Sequence, residues 1–404
     1  MSFQLLRHLL YALLPNNRGF YANLSMQTTP ATRRINSIDV LRGLVMVVMA
    51  LDHVRDYFSD FKYEPTDLQH AGTIMFFTRW VTHYCAPVFI FLSGTSAFLS
   101  MGKGRTIKEE ALRLLTRGLW LLVLEMTIVR FGWTFDVDYS MIFLQVIWAI
   151  GISMIALSGF IFLPRAAILS IGLTMICSHN LFDGVQPAGV PGILWQFLHV
   201  QGMLPYGNGN NVFIIYPLIP WIGVMAVGFC FGAVFNKEDT TRNNWLYSIG
   251  GSAILLFVAL RMSNIYGDPS PWQVQHTAWR TVLSFINCTK YPPSLLYLLM
   301  TLGPAILLMP LLERMSGAIG NIFKVYGRVP MFYYILHIYL VHGMAVIASY
   351  MFSNGAPVKV FEHPGYGLRV VYGMWLLAVI ILYFPSHWFM RIKQSHPKWW
   401  LSYL

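Results

Sequence analysis

Ten apolar stretches near membrane-spanning length recur along the chain, at roughly 38–58, 72–101, 109–129, 140–163, 166–179, 213–235, 244–262, 293–312, 329–352 and 368–390. A helix rises about 1.5 Å per residue, so about 20 apolar residues cross the hydrocarbon layer. The fifth stretch is the shortest. The pattern predicts an all-α integral membrane protein, a bundle of about ten transmembrane helices. Connections on one side are mostly short. The two long ones, 180–212 and 263–292, fall on the other side, where an acceptor pocket or ordinary loop would lie. No internal repeat, coiled coil or low-complexity tract is present.

This pattern divides the chain into an N-terminal cytoplasmic segment (1–33), a membrane domain (34–393) and a cytoplasmic tail (394–404). The apolar run Leu5–Leu14 is interrupted by Arg7 and is too short to span. It reads either as a surface amphipathic segment or as sequence preceding a true start at Met26.

Composition supports the membrane reading. Apolar residues make up 56% of the 404 and charged residues only 11%, where a soluble chain carries about a quarter charged residues. The net charge of +11 does not point to nucleic acid, because the basic residues fall in short clusters between apolar segments. Roughly twice as many lie on the side of the two termini as on the other, which puts both termini in the cytoplasm. Cys85, Cys177, Cys230 and Cys288 form no CxxC pair, so they indicate neither a disulfide framework nor a zinc site. No phosphate-binding loop, dinucleotide fingerprint, HExxH or GxSxG motif occurs.

The chemistry begins in the first span. Arg42 and His53 are separated by ten residues, close to three helical turns, so they share a face about 16 Å apart along the axis. Buried ionisable groups are costly in a bilayer and mark sites. The spacing suits a long anionic ligand such as acyl-coenzyme A, with Arg42 at its phosphates and His53 at its reactive end. Asp39 either pairs with Arg42 or orients it. Asp52 adjoins His53 but points to another side of the helix, toward Arg55 or Asp56. In the second span Arg79 and His83 share a face. Pro87, four residues beyond His83, distorts the helix and frees backbone groups there. Small residues at Ser93–Ser96 permit close helix packing. Arg113 and Arg117 extend the basic cluster at Lys103–Lys108, either as lipid-headgroup anchors or as a landing site for nucleotide phosphates. Glu125, deeper, is expected to neutralise an arginine. Tyr333 and His337 share a face in the ninth span, as a structural Tyr–His pair or as polar groups of the reaction chamber.

Three stretches carry a family resemblance: Arg34-Ile35-Asn36-Ser37-Ile38-Asp39-Val40-Leu41-Arg42-Gly43, Pro87-Val88-Phe89-Ile90-Phe91-Leu92-Ser93-Gly94 and Tyr326–His342. They resemble the heparan-alpha-glucosaminide N-acetyltransferase catalytic family. Tyr216-Pro217-Leu218-Ile219-Pro220-Trp221 and Lys290-Tyr291-Pro292-Pro293-Ser294 look similar to its bacterial members, which implies a bacterial inner membrane. The resemblance covers nearly the whole chain after residue 30. The Asp-x-x-Arg-Gly entry and the Arg-to-His spacing are also similar to the acyltransferase-3 family. There the arginine is associated with coenzyme A and the histidine with catalysis, roles that carry over to Arg42 and His53. In the heparan enzymes the active histidine precedes the second span in a His-Ala setting. His70-Ala71 is the nearest match, at a longer distance from Pro87, so His70 competes with His53.

The expectation is a membrane acyltransferase moving an acyl, typically acetyl, group from cytosolic acyl-CoA to an extracytoplasmic sugar amine or hydroxyl. His53, His70 and His83 are its candidate catalytic residues. Arg42, Asp39, Arg113 and Arg117 are expected to bind the donor, and Asp52, Arg79, His337 and Tyr333 to line the substrate pocket. No metal and no nucleic acid enter this scheme, and homo-oligomerisation is left open. The rivals are a transporter, which would place ionisable groups near the midplane but with repeats, and a non-catalytic membrane protein.

Overall fold

Helix α1 (Asn36–Phe58) runs as one uninterrupted helix through the centre of the bundle. The computed structural model describes residues 35–59, 63–101, 105–207, 209–352, 365–396 and 401. The run Leu5–Leu14, Met26, Lys103 and most of the tail beyond 396 therefore lie outside the described residues. After α1 come α2 (Thr73–Met101), α3 (Ile107–Leu124), α4 (Arg130–Thr134), β1 (Met141–Leu144), α5 (Val146–Phe160) and α6 (Arg165–Ser178). Next are α7 (Gly189–Leu198), β2 (Gly202–Pro205), β3 (Asn211–Ile214), α8 (Leu218–Phe231), α9 (Asp239–Ser263) and α10 (Ala278–Ile286). The chain closes with α11 (Leu295–Glu313), α12 (Gly317–Arg328), α13 (Pro330–Phe352) and α14 (Leu368–Ser395).

The protein is an all-α membrane protein, and each of the ten expected stretches contains a helix. Among the described residues, seven helical segments are long and apolar enough to cross a bilayer by length and composition. The other three expected spans correspond to α1, α3 and α5. The first two carry too many charges for that criterion, and α5 is only 15 residues long. All three are packed inside the bundle, with α1 against α2, α11, α12, α13 and α14, and α5 against α3 and α8.

Two features depart from the hydropathy pattern. The stretch expected to be helical from residue 140 opens instead as β1, which pairs in parallel with β3, while β2 pairs with β3 antiparallel. The connection 180–212 thus holds α7 and two strands, and 263–292 holds α10. Neither long loop is structureless. Helix α12 is the second departure. It is amphipathic and lies between two spans, so a search for long apolar runs passes over it.

Close backbone crossings fix the helices that carry the charges. A Cβ on Gly43 would stand 1.8 Å from the Phe323 carbonyl oxygen, and one on Gly327 would stand 1.8 Å from that of Asp39. Only glycine lets α1 and α12 meet this closely. Gly94 and Gly228 do the same for α2 and α8, in keeping with the small residues read at 93–96. Pro87 acts as expected. A 3₁₀ turn, Val81–Tyr84, precedes it within α2, and the His83 carbonyl it frees accepts the Tyr297 hydroxyl at 2.7 Å.

Candidate active site

Arg42 leaves α1 where α12 crosses it. Its guanidinium donates to the Gly327 carbonyl at 3.3 Å and to Ser96 Oγ on α2 at 2.8 Å. Asp39, one turn earlier, accepts from Arg328 Nε at 3.1 Å. Helix α3 begins with a capping box, in which Thr106 Oγ accepts the Glu109 N–H and the Glu109 carboxylate accepts the Thr106 N–H. From that start Arg113 and Arg117 fall on one face. Arg113 is matched by the fully buried Glu110, which also accepts Ser100 Oγ at 2.6 Å and meets Arg105 at 3.6 Å.

Arg42, Ser96, Ser100, Arg113, Arg117 and Arg328 converge on one cavity of about 420 Å³, within the usual range for small-molecule sites. Asp39, expected to bind the donor, is not part of its described lining. Its described lining holds five cations (Arg42, Arg113, Arg117, Arg328 and Lys393) and no carboxylate. Ser93, Ser96 and Ser100 line it alongside apolar groups from Met46, Leu121, Ile147 and Ile150. Tyr334 of α13 lines it as well.

His53 stands next to Tyr334, with ring centroids 6.4 Å apart and the rings edge to face. It does not itself line the cavity. Its partner is His337: His53 Nδ1 lies 2.6 Å from His337 Nε2, and the rings stack at 4.8 Å. His337 Nδ1 lies 3.2 Å from the Tyr333 carbonyl. That carbonyl can only accept, so His337 carries its proton on Nδ1 and accepts at Nε2. His53 Nδ1–H donates to it, and the lone pair of His53 is left on Nε2. Tyr333 thus contributes its backbone to the pair. Its hydroxyl is buried and has no partner among the described residues, so the expected Tyr–His side-chain bond does not form.

The other wall around His53 comes from a break in helix geometry. A π turn, Glu125–Val129, joins α3 to α4 and brings the Trp133 ring to 4.8 Å from His53. Such insertions recur at functional sites. Glu125 is buried beside this turn. It accepts the Gln145 N–H at 2.7 Å through one oxygen, while the other has no partner among the described residues. The expected arginine partner is replaced by a backbone amide, because the π turn directs Glu125 to the start of α5.

Asp52 lies elsewhere. It takes a two-oxygen contact from Arg79 at 2.8 and 2.6 Å, Arg55 at 2.8 Å and Lys290 at 4.0 Å. Arg55 also reaches Asp56 at 2.5 Å. Arg55 was the partner its spacing allowed; Arg79 and Lys290 were not legible. His83 is buried near this cluster, 5.4 Å from the Tyr297 ring, and its Nδ1 has no partner among the described residues. His70 is apart from all of these. It sits on a surface turn with its side chain 60% exposed, hydrogen-bonded to Asp67 at 2.6 Å. That bond holds the Asp67 carboxyl below the usual carboxylate range.

The structure therefore brings together Arg42, Arg113 and Arg117 at one cavity, and His53 with His337 beside it. His70, His83, Asp52 and Arg79 lie outside that arrangement. Arg328, Lys393, Tyr334 and Trp133 join it without having been singled out. A sequence model of the family described as heparan-alpha-glucosaminide N-acetyltransferase, catalytic, matches residues 34–263. The match runs from α1 to the end of α9 and ends before His337. No curated protein matches the chain.

Proposed function

The chain belongs to the heparan-alpha-glucosaminide N-acetyltransferase catalytic family, and from that premise we propose that it acetylates a carbohydrate amine or hydroxyl using acetyl-CoA bound in the cation-lined cavity. The observation that carries this reading is the pairing of a five-cation cavity with an imidazole dyad beside its Tyr334 wall. Coenzyme A has a long arm between its phosphates and its thioester. Arg42, Arg113 and Arg117, with Arg328 and Lys393, would hold the phosphates through charge-assisted hydrogen bonds. The pantetheine arm would pass Ser96 and Met46 toward Tyr334.

His53 Nε2 would act as the general base. As the acceptor nitrogen or oxygen attacks the thioester carbonyl, Nε2 takes its proton. Collapse of the tetrahedral intermediate breaks the C–S bond, and the same proton goes to the departing sulfur, giving free coenzyme A. His337 is a positioning residue that fixes the tautomer of His53. The buried cluster of Asp52, which immediately precedes His53 on α1, with Arg79 and Lys290 would flank the side from which a sugar reaches His53. Holding two substrates in register accounts for much of the rate in such a scheme. The basic residues favour the cavity end on the cytoplasmic side, with the long connections and the acceptor on the other.

The test uses purified protein in lipid nanodiscs, with acetyl-CoA as donor and glucosamine as first acceptor. Thioester loss should depend on the added sugar. His53→Ala should lower turnover by about 10²–10⁴-fold with coenzyme A affinity retained, and Arg42→Ala should weaken that affinity. Full turnover in the first variant overturns the base assignment, and unchanged affinity in the second overturns the phosphate site.

A further inference from the structure

The end of α6 and the 180–212 connection hold a cluster that the acetyl-transfer scheme does not use. His179 ends the α6 span, Asp183 follows one turn later, and His199 caps α7. One ligand atom from each lies within 4.8 Å of the others. Zinc ligands sit about 2.0–2.2 Å from the ion, hence roughly 3.4 Å from one another in a tetrahedron. A small inward movement would close this set on a common centre.

The side chains are poorly satisfied as they stand. His179 is 2% exposed, and neither of its ring nitrogens makes a well-formed hydrogen bond among the described residues, its contact with the Pro293 backbone falling short of that geometry. A buried imidazole without hydrogen bonds is costly. His199 is 1% exposed; its Nε2 meets Asp183 Oδ1 at 3.1 Å and its Nδ1 has no partner among the described residues. A plain His–Asp hydrogen bond accounts for one of these four nitrogens. The two rings meet edge to face at 5.5 Å. Asn180 donates to the other Asp183 oxygen at 2.9 Å and accepts the Leu295 N–H at 2.9 Å. It orients the carboxylate as outer-shell groups do around metal ligands.

We propose that His179, Asp183 and His199 bind a divalent transition-metal ion of the zinc type. Two imidazoles and one carboxylate suit such an ion and leave a coordination position open. The ion would clamp the end of α6 to the end of α7 and, through Asn180, to the start of α11. It is a fastening for the long connection, independent of the donor cavity.

Tag-free protein in detergent would be stripped with EDTA, reloaded with zinc chloride, desalted and assayed for bound metal by mass spectrometry. One equivalent of zinc and a raised unfolding midpoint are expected, and cobalt in its place should give visible absorption bands. Asp183→Asn keeps the shape of a side chain that is a quarter exposed and should lose the bound metal, the cobalt bands and the midpoint shift. Its EDTA-treated midpoint should match that of the stripped parent, which establishes folding. His179→Gln should behave alike. A parent that retains no zinc after loading overturns the proposal, and so do variants that retain a full equivalent with unchanged cobalt bands.

Discussion

The two ends of α1 use the same residue types to opposite effect. Around Asp52 and Asp56, three cations meet two carboxylates in a cluster closed by direct contacts. At the other end the carboxylates of Asp39 and Glu110 stand behind their arginines, and the charged groups on the described cavity wall are all cations. A matched buried cluster holds structure together. A one-signed wall opening on a cavity holds a counter-charge from outside. Charge content alone does not separate the two ends; the direction in which each charge faces does.

Breaking the matched end should have the largest effect. Asp52→Ala strands Arg79 and Lys290 in a buried site and leaves Arg55 with Asp56, and stability should fall by about 3–5 kcal/mol, read as a lowered unfolding midpoint in detergent. An unchanged midpoint would dissolve the contrast. At the cavity end the signature reverses. Arg117→Gln should cost about 1.5–3 kcal/mol in coenzyme A binding, read by calorimetry, with little change in the midpoint. Added salt should weaken binding in the parent more than in the variant. A variant that binds normally but unfolds early would make Arg117 a structural charge. The smallest effect belongs to His70, which lies at neither end. His70→Ala should leave stability within about 0.5 kcal/mol and acetyl transfer near the parent rate. Collapse of transfer would move the base from His53 to His70. The same variant should return the Asp67 carboxyl toward its ordinary value. The sign follows from that: a depressed carboxylate contributes stability above its unfolded-chain pKa and loses it as pH falls through the depressed value.

How far each feature was legible follows from the range of the interaction that makes it. Helix periodicity carried the Asp52–Arg55 pair and the distortion ahead of Pro87, because each is decided within a few turns of one helix. His53, expected in register with Arg42, stands beside the Tyr334 wall and does not line the cavity that Arg42 lines. Tertiary partners were not legible. Glu125 was expected beside an arginine, and a π turn gave it the Gln145 amide instead. Asp39 found Arg328, 289 residues away. Helix α12 escaped notice because its amphipathic pattern lacks a long apolar run, although it supplies the carbonyl that holds Arg42. The His179, Asp183 and His199 cluster was missed for a related reason. Cysteine pairs and HExxH are local signals, whereas these three residues meet only once α7 folds back on α6.

Arg42 is anchored by the carbonyl of Gly327, and His53 by the ring of His337. The end of α12 and the first turns of α13 therefore hold α1 at two points, ten residues apart on their side and eleven on α1. These two contacts, one on each side of the α12–α13 junction at Val329, set the gauge between guanidinium and imidazole. Sliding α1 against either helix breaks a contact, so a donor with a longer fatty tail would gain no room by stretching this interval. Its extra carbons would have to turn aside, toward Leu121 and Ile150, and selectivity for chain length would reside in that side wall.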